Sequence, residues 1–253
     1  MKVGLFVTCI VNIMRPEIGW SAAQLLEHMG LKVHVPLTQS CCGQPNYNNG
    51  DIKNTKKLAK KMINEFENFD AIIIPSGSCG STIIKDYPLL FTDNPKWYER
   101  SKNLAEKTFE LCDFLYKNNA SLPLKELHIN KSYSYHDSCS GLRKLGIKDQ
   151  PRKLLAQRIG LEYKPLEDSE ACCGFGGTFS VDFDDVSGQI ASKKVQDIKD
   201  ASTDMILGGD LSCLIHIAGR LHRMGVDVEV RHVAEILAGN IQNAPLGGYN
   251  AKN

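Results

Sequence analysis

Short apolar runs alternate with amphipathic stretches along the first part of the chain. Residues 3–8, 31–35 and 71–74 are apolar runs of strand length, and apolar residues recur at helical spacing between them. The helical stretches are residues 18–29 and a stretch that Asp51 would cap. The run at 71–74 is apolar throughout, without polar alternation, which favours a parallel sheet covered by helices on both faces.

The second part of the chain repeats this order. Predicted strands at 132–135, 161–166, 204–207 and 226–230 alternate with predicted helices at 151–158, 186–198 and 233–237. The last helix of the first part is predicted at 103–116, and a proline-containing loop at 88–96. We therefore predict an α/β protein of two Rossmann-like parallel-sheet halves related by an internal repeat. The predicted halves span 1–122 and 123–253, with a disordered or surface-bound tail from residue 243.

The cysteines obey the same repeat. Of the nine cysteines, eight follow one rule twice, at an offset of about 130 residues. In each set a single cysteine comes first, and a Cys-Cys-Gly triplet follows it after 31 residues in the first set and 32 in the second. A last cysteine follows the triplet after 35 and 38 residues, respectively. The first set is Cys9, Cys41, Cys42 and Cys79, and the second is Cys139, Cys172, Cys173 and Cys213.

Each cysteine position lies just beyond a predicted strand. Loops that leave the carboxyl ends of parallel strands meet at one edge of a sheet, even when they are distant in sequence. We therefore expect each set of four cysteines to converge, giving one site per half. Cys112 falls outside the rule, inside a predicted helix, and is interpreted as a small buried core residue.

Composition narrows the chemistry. The 253 residues are 42% hydrophobic and carry a net charge of +1, with no long run of one sign, so neither nucleic acid nor a membrane surface is an expected partner. No apolar stretch is long enough for a membrane span, and the start of the chain is too short and strand-like for a signal peptide. We expect a cytoplasmic protein. In that reducing compartment cysteines serve as metal ligands or redox groups more readily than as disulfides.

Four converging thiolates suit either a [4Fe–4S] cluster or a structural zinc ion. Two adjacent cysteines supply neighbouring ligands, and the following glycine lets the backbone approach and donate N–H groups to sulfur. Zinc sites commonly use cysteine pairs separated by two to four residues, which are absent here, and so is the usual ferredoxin run. The alternative, that these cysteines are ordinary core residues, conflicts with their repeated placement at strand ends.

Several other polar residues lie near the predicted sites. His136 is interpreted as a hydrogen-bond donor to a cluster sulfur or a proton carrier, or else as a residue that satisfies a loop carbonyl. His216, one turn after Cys213, is expected to pack or to face solvent. Nucleotide-binding and nucleophile motifs are missing, so clusters alone would move single electrons and a partner would supply two-electron chemistry.

Three ordered motifs resemble a known family. They are C-C-G-Q-P-N-Y-N from residue 41, P-S-G-S-C from residue 75 and C-C-G-F-G-G-T-F from residue 172. Together with the cysteine spacing they resemble the cysteine-rich CCG proteins, which include the CCG-containing chain of heterodisulfide reductase and the iron–sulfur subunit of glycolate oxidase. Within these the chain is most similar to the lactate-utilisation protein A group, from Val3 to about Ala238.

The resemblance implies a cytoplasmic iron–sulfur protein that transfers electrons in an L-lactate dehydrogenase complex. It implies two partner subunits, one of them carrying ferredoxin-type clusters, and one or two [4Fe–4S] clusters in this chain, with zinc as a possible substitute. The implied cluster ligands are Cys9, Cys41, Cys42, Cys79, Cys139, Cys172, Cys173 and Cys213.

The sequence departs from the related patterns at two places. The heterodisulfide reductase pattern ends each block with a further cysteine three positions on, which neither Cys79 nor Cys213 has here. The related His-Asp-Pro-Cys motif reads His-Asp-Ser-Cys, from His136 to Cys139. Two other functions remain open from the residues: a thiol enzyme that reduces a disulfide at an open cluster, and a zinc-stabilised interaction module without redox chemistry.

Overall fold

Two parallel four-stranded sheets form the framework of the chain. The computed structural model describes residues 1–122 and 130–247. The first sheet comprises β1 Lys2–Leu5, β2 Lys32–His34, β3 Ala71–Ile74 and β4 Thr108–Glu110. The second comprises β5 Lys131–His136, β6 Leu161–Tyr163, β7 Met205–Gly208 and β8 Glu229–His232. Strand orders β2-β1-β3-β4 and β6-β5-β7-β8 are the same arrangement used twice, which confirms the predicted repeat.

Helices connect the strands, as parallel pairing requires. The helices of the first half are α1 Cys9–Met14, α2 Glu17–His28, α3 Gln44–Asn48, α4 Ile52–Phe66, α5 Gly77–Ser81, α6 Tyr87–Leu90, α7 Pro95–Glu106 and α8 Leu111–Lys117. Those of the second half are α9 Asp149–Leu155, α10 Phe179–Asp182, α11 Asp184–Asp200, α12 Leu211–Arg223 and α13 Val233–Ala238. A short π-helical turn occurs in each half, at Thr82–Asp86 and Ser140–Lys144.

The strand register repeats between the halves. Val3 pairs with Val33 on one side and with Ala71 on the other, and Tyr133 pairs in the same way with Tyr163 and Met205. Both β3 and β7 are buried along their whole length, since helices cover both faces of the sheet. The repeated register brings the cysteine positions that follow each strand to corresponding places.

One hydrophobic cluster joins the two halves. It contains Leu5 and Ile73 of the first sheet together with Tyr135 and Leu207 of the second, and the last helix, α13, packs against α2. Each half also has a separate cluster on its outer side, where α4 covers the first sheet and α12 the second. The inner faces of both sheets therefore share one core, which fixes the halves against each other.

The prediction of one helix at 103–116 is wrong. Strand β4 separates α7 from α8 there, because Thr108 and Phe109 pair with Ile72 and Ile73 at the sheet edge. Tertiary pairing has overridden the local helical pattern. The predicted loop at 88–96 is partly helical, because α6 runs to Leu90 and α7 begins at Pro95. Pro88 and Pro95 occupy first-turn positions, where the missing N–H costs nothing.

Two further predictions touch the ends of the described ranges. The proposed division between residues 122 and 123 borders residues 123–129, which lie outside the described residues, and stays a prediction. Of the predicted tail, Leu246 forms an antiparallel bridge with Val230, whereas residues 248–253 lie outside the described part. Among the helices that the structure describes, none has the length and apolar character needed to cross a membrane.

Candidate metal centre

The isolated cysteines lie where a strand gives way to a helix. Cys9 begins α1 and Cys79 lies in α5, whereas Cys213 lies in the first turn of α12. Cys139 stands directly before the π-helical turn Ser140–Lys144. Because the helices start at the carboxyl ends of their strands, these thiols gather at one edge of each sheet. The positive end of a helix dipole also favours an anionic sulfur over a neutral one.

The Cys-Cys-Gly loops bring backbone N–H groups to the sulfurs. Gly43 and Gly174 have φ angles of 86° and 89°, in the region that glycine adopts without steric cost. The Gly43 N–H donates to Cys41 Sγ over 3.3 Å, and the Gly174 N–H donates to Cys172 Sγ over 3.3 Å. A Cβ atom at position 174 would also lie 2.6 Å from the Ser187 carbonyl oxygen. The glycine is therefore required both for the backbone turn and for close packing.

The thiols of the first half contact one another in sequence. Cys42 Sγ lies 3.4 Å from Cys79 Sγ, and Cys41 accepts hydrogen bonds from Cys42 and Cys9. These bonds lower the pKa of Cys41 to about 3, whereas the same bond and burial raise the pKa of Cys9. These shifts favour a thiolate at Cys41 and protonated thiols at Cys9 and Cys42. This is a cluster of sulfurs ready to exchange protons for a metal.

The second half has a comparable chain of thiols. A hydrogen bond to Cys172, followed by burial, raises the pKa of Cys139. Cys173 is hydrogen-bonded to Cys172 and Cys213, and the Phe175 N–H lies 3.5 Å from Cys173 Sγ as a donor. Each predicted set of four cysteines therefore converges in space.

The two sets open into one cavity of about 480 Å³ between the halves. The sequence predicts two separate sites, one in each half. The structure instead places all eight cysteines on the wall of this one cavity. Their exposure is uneven: Cys42, Cys173 and Cys213 are buried and the other five are partly accessible. Each set thus has buried and accessible members.

Asp210 lines this cavity and is hydrogen-bonded to the other half. It is a site residue that the sequence did not reveal. Its carboxylate accepts hydrogen bonds from the Ser78 N–H at 2.7 Å and the Ser78 hydroxyl at 3.1 Å, across the interface. The Ser212 hydroxyl donates to the same carboxylate at 2.9 Å. Burial raises the pKa of Asp210. Its signal in the sequence is its place in the repeat, three residues before Cys213, where the first half has Ser76 before Cys79.

His136 is the last residue of β5 and is only 1% exposed. Neither ring nitrogen has a hydrogen-bond partner within residues 1–122 and 130–247, so no described group there supports the loop-carbonyl interpretation. Burial, and secondarily the charge of Lys194, lower the pKa of His136 to about 3. Its ring therefore carries no charge at neutral pH. A ring nitrogen of His136 and the sulfurs of Cys173 and Cys213 all lie within 4.8 Å of one another.

The remaining candidates have structural partners. His216 Nε2 lies 3.2 Å from the Ser187 hydroxyl, and its ring contacts Phe175 edge-on, which agrees with the expected packing role. Cys112 is fully buried within the shared hydrophobic cluster. Ser76 caps α5 by accepting a hydrogen bond from the Cys79 N–H. Each of these three residues therefore has a structural role.

The comparison with known proteins agrees with the geometry. The cysteine-rich domain profile of the CCG family matches residues 3–84 and again residues 133–218, which together contain all eight cysteines of the cavity. The curated lactate utilization protein A of Bacillus licheniformis is 43% identical over 237 residues, covering 94% of this chain and 99% of that protein. The chain belongs to this CCG family. Lactate utilization protein A of Exiguobacterium sp. is 44% identical over 251 residues, covering 96% and 99% of the two chains.

The cavity fits the metal binding expected of a cysteine-rich CCG protein. Thiolate is the ligand type that iron–sulfur clusters and zinc share, and eight thiols face one space here. The backbone N–H donors at Gly43, Gly174 and Phe175 are already directed at sulfur. Among the described residues neither ring nitrogen of His136 has a hydrogen-bond partner, and one of them lies within 4.8 Å of the Cys173 and Cys213 sulfurs. These features make the cavity a candidate soft-metal site to which both halves of the CCG chain contribute.

Proposed function

We propose that this protein is an iron–sulfur electron-transfer subunit of an L-lactate-oxidising system that supports lactate utilisation. The observation that carries the proposal is the convergence of two repeated cysteine sets on one cavity, in a chain 43% identical to a lactate utilization protein A. Each half would hold a [4Fe–4S] cluster, so that the chain carries one or two. The proposed ligands are Cys9, Cys41, Cys42, Cys79, Cys139, Cys172, Cys173 and Cys213.

Electron transfer fits the groups that the cavity presents. Its walls comprise cysteines, small and hydroxyl residues and a few apolar side chains, with the amides of Gln44 and Asn48 and the carboxylate of Asp210. The sequence has no nucleotide-binding motif. Iron–sulfur clusters pass electrons one at a time, whereas oxidation of a 2-hydroxy acid to a 2-keto acid releases two. The proposal therefore includes two partner subunits, one of which carries ferredoxin-type clusters and relays electrons.

The partial exposure of the cavity supports a second candidate function. Cys9, Cys41, Cys139 and Cys172 are partly accessible, so a small disulfide could reach sulfur or iron from solvent. A heterodisulfide-reductase-like thiol enzyme would use such an opening. Reduction of a disulfide by the isolated chain, with a chemical electron donor, would favour this candidate over electron transfer to a partner.

The first test is chemical analysis of protein purified without oxygen. About eight irons with matching sulfide would support two [4Fe–4S] clusters, and about four would support one. Zinc without iron, and without broad visible absorption, would overturn the electron-carrier proposal and leave a zinc-stabilised scaffold.

The lactate assignment needs a second measurement. Adding L-lactate and the partner subunits should bleach the visible absorption of the clusters, because electrons then enter this chain. L-lactate alone should leave the spectrum unchanged, since the isolated chain has no group that takes two electrons. Reoxidation of chemically reduced clusters by a disulfide, together with no bleaching by lactate and the partners, would contradict the assignment.

A further inference from the structure

The two halves differ at the position three residues before the first cysteine of each set. Phe6 occupies it in the first half and His136 in the second. Phe6 is fully buried and packs edge-on against Phe66, with ring centroids 5.7 Å apart. The repeat thus accommodates an ordinary apolar core residue at this position. A histidine in the second half requires another explanation than the demands of the fold.

His136 would be unfavourable if it served only for packing. A buried polar group that loses its hydrogen bonds to water without replacing them destabilises the folded protein. The charged group that acts most strongly on it is Lys194, which is also buried and donates its own hydrogen bond to the Asp168 carbonyl oxygen. A lysine ammonium offers only donors, so it leaves the ring N–H of His136 without an acceptor.

The sulfurs of Cys173 and Cys213 are the chemical partners within reach. These sulfurs and a His136 ring nitrogen lie within 4.8 Å of one another, and all three residues are buried. Within residues 1–122 and 130–247, these three are the only group of three or more His, Cys, Asp or Glu side chains whose potential ligand atoms all lie so close together. Neutral imidazole nitrogen is a common ligand of iron and zinc beside thiolate.

We propose that His136 is a metal ligand of the second half, binding through a ring nitrogen alongside Cys173 and Cys213. A four-ligand cluster there would take this imidazole in place of one of the two partly accessible thiols, Cys139 or Cys172. The inference rests on the proposed function, and it makes the two centres chemically different. The first half offers thiolates only, because Phe6 has no donor atom, whereas the second half offers thiolates and one imidazole. His136 is thereby a binding residue rather than a support for the cavity wall.

The mixed ligand set has a consequence for electron flow. A neutral imidazole donates less negative charge to iron than a thiolate does, and replacing cysteine with histidine ligands raises the potential of an iron–sulfur centre. The second centre is then the easier one to reduce. Electrons that enter this chain at the first half move on to the second, so the asymmetry sets a direction inside a duplicated framework.

The test uses the full-length chain purified without oxygen and labelled with ¹⁵N-histidine. After metal analysis, pulsed electron paramagnetic resonance on the reduced protein measures the hyperfine coupling of histidine nitrogen to the cluster. We expect a strong coupling, typical of a directly bound nitrogen, in the wild-type protein. His136→Phe, which copies the first half, should lose it. His216→Gln is the matched control, since His216 lies beside the same loop with its nitrogen already at the Ser187 hydroxyl.

A substitution that places a thiol at position 136 gives a second readout. His136→Cys should restore an all-thiolate set and shift the potential of the second centre downward, towards that of the first, with iron retained. This measurement does not depend on whether the phenylalanine variant folds. An unchanged potential in the cysteine variant would contradict direct ligation.

The outcomes separate this inference from the proposed function. Iron with only weak histidine coupling in the wild-type protein would overturn the role of His136 and leave the electron-transfer proposal intact. Zinc in place of iron would overturn the electron-transfer proposal, and X-ray absorption at the zinc edge would then decide between a mixed nitrogen–sulfur shell and sulfur alone. A protein that holds neither metal when purified without oxygen would overturn both.

Discussion

The first half has Phe6 and Ser76 where the second half has His136 and Asp210. Both pairs stand three residues before a cysteine, at the ends of equivalent strands, and the backbone around them is built in the same way. The first half fills these places with an apolar ring and a hydroxyl, the second with an imidazole and a carboxylate. The two halves therefore share the strand ends and the Cys-Cys-Gly loops but differ in the side chains around each cysteine set.

The largest expected effect comes from removing one buried cysteine in each half. Cys42→Ser and Cys173→Ser should each lose about half of the iron if both halves carry a [4Fe–4S] cluster. Iron and sulfide per chain measure this directly. Cys112→Ala is the matched control, because Cys112 is buried outside the cavity and should retain all the iron. Full iron in either serine variant would remove that half from the proposal.

Two ion pairs across the interface allow a comparison of stability. Arg15 donates to Glu235 at 2.8 and 3.0 Å, and the Glu235 side chain is fully buried. In the second pair Lys144 of the second half lies 3.0 Å from Asp86 of the first half, but the Lys144 side chain is 44% exposed. Each pair fastens the helical segment that follows the first cysteine of one half to the other half.

Breaking these pairs should therefore have unequal effects. Arg15→Met should lower the free energy of unfolding by about 3–5 kcal/mol, because it leaves a buried carboxylate without its partner. Lys144→Met should cost less, about 1 kcal/mol, because water reaches and screens the half-exposed Lys144, although the Asp86 carboxylate that it leaves is buried. Denaturant titration of both variants measures the difference. Equal losses would show that the two sides of the interface are not distinguished by burial.

The next effect concerns the close approach of the halves beside the cavity. A Cβ atom at Gly77 would lie 2.9 Å from the Gly141 Cα atom, so Gly77→Ala should force the two backbones apart and destabilise the protein by about 1–3 kcal/mol. Gly80→Ala in the same helix meets only the Leu145 side chain at 3.5 Å and should be tolerated. Thermal unfolding of both variants is the measurement, and equal midpoints would contradict the contact.

The smallest expected effect concerns the buried caps of the last helix in each half. Glu110 caps α8 and His232 caps α13. Burial raises the pKa of Glu110 to about 8 and lowers the pKa of His232 to about 4. Both side chains are therefore neutral inside the protein near pH 7, although one is an acid and the other a base.

These shifts predict how stability depends on pH. Between pH 4.5 and 8 folded Glu110 keeps a proton that the unfolded chain releases, so its contribution to stability falls as pH rises. His232 contributes the opposite slope between pH 4 and 6.5, because the unfolded chain binds the proton there. Above pH 6.5 the Glu110 slope is no longer offset. Glu110→Gln should therefore flatten the decline of unfolding free energy between pH 6.5 and 8, and an unchanged slope would contradict a protonated Glu110.

The sequence was sufficient for the features that repeat. Strands β1 to β3 and β5 to β7, the repetition of a parallel sheet in two halves and the gathering of each cysteine set follow from apolar runs and from cysteines placed after them. Strand β4 was missed because Thr108 and Phe109 carry no local strand signal strong enough to interrupt a helical pattern. Their pairing with β3, at the edge of the sheet, decides their conformation.

The relation between the two halves was beyond the sequence. Nothing in the spacing of Cys9 and Cys139 indicates that their sites open into one cavity, since that depends on how two sheets pack over a shared core. The hydrogen bonds from Ser78 to Asp210 depend on the same packing. Likewise, the sequence places His136 at the end of a strand, but it does not reveal that neither ring nitrogen has a hydrogen-bond partner among the described residues.

The shared hydrophobic cluster restricts how such a duplicated protein can evolve. When gene duplication yields two independent domains, one copy can decay or be deleted once its task is lost. Here Leu5, Ile73, Tyr135 and Leu207 bury one another, so either half alone would present a broad apolar face to water. Each half therefore depends on the other to cover that face, so the side chains around one cysteine set can change only while both halves are kept.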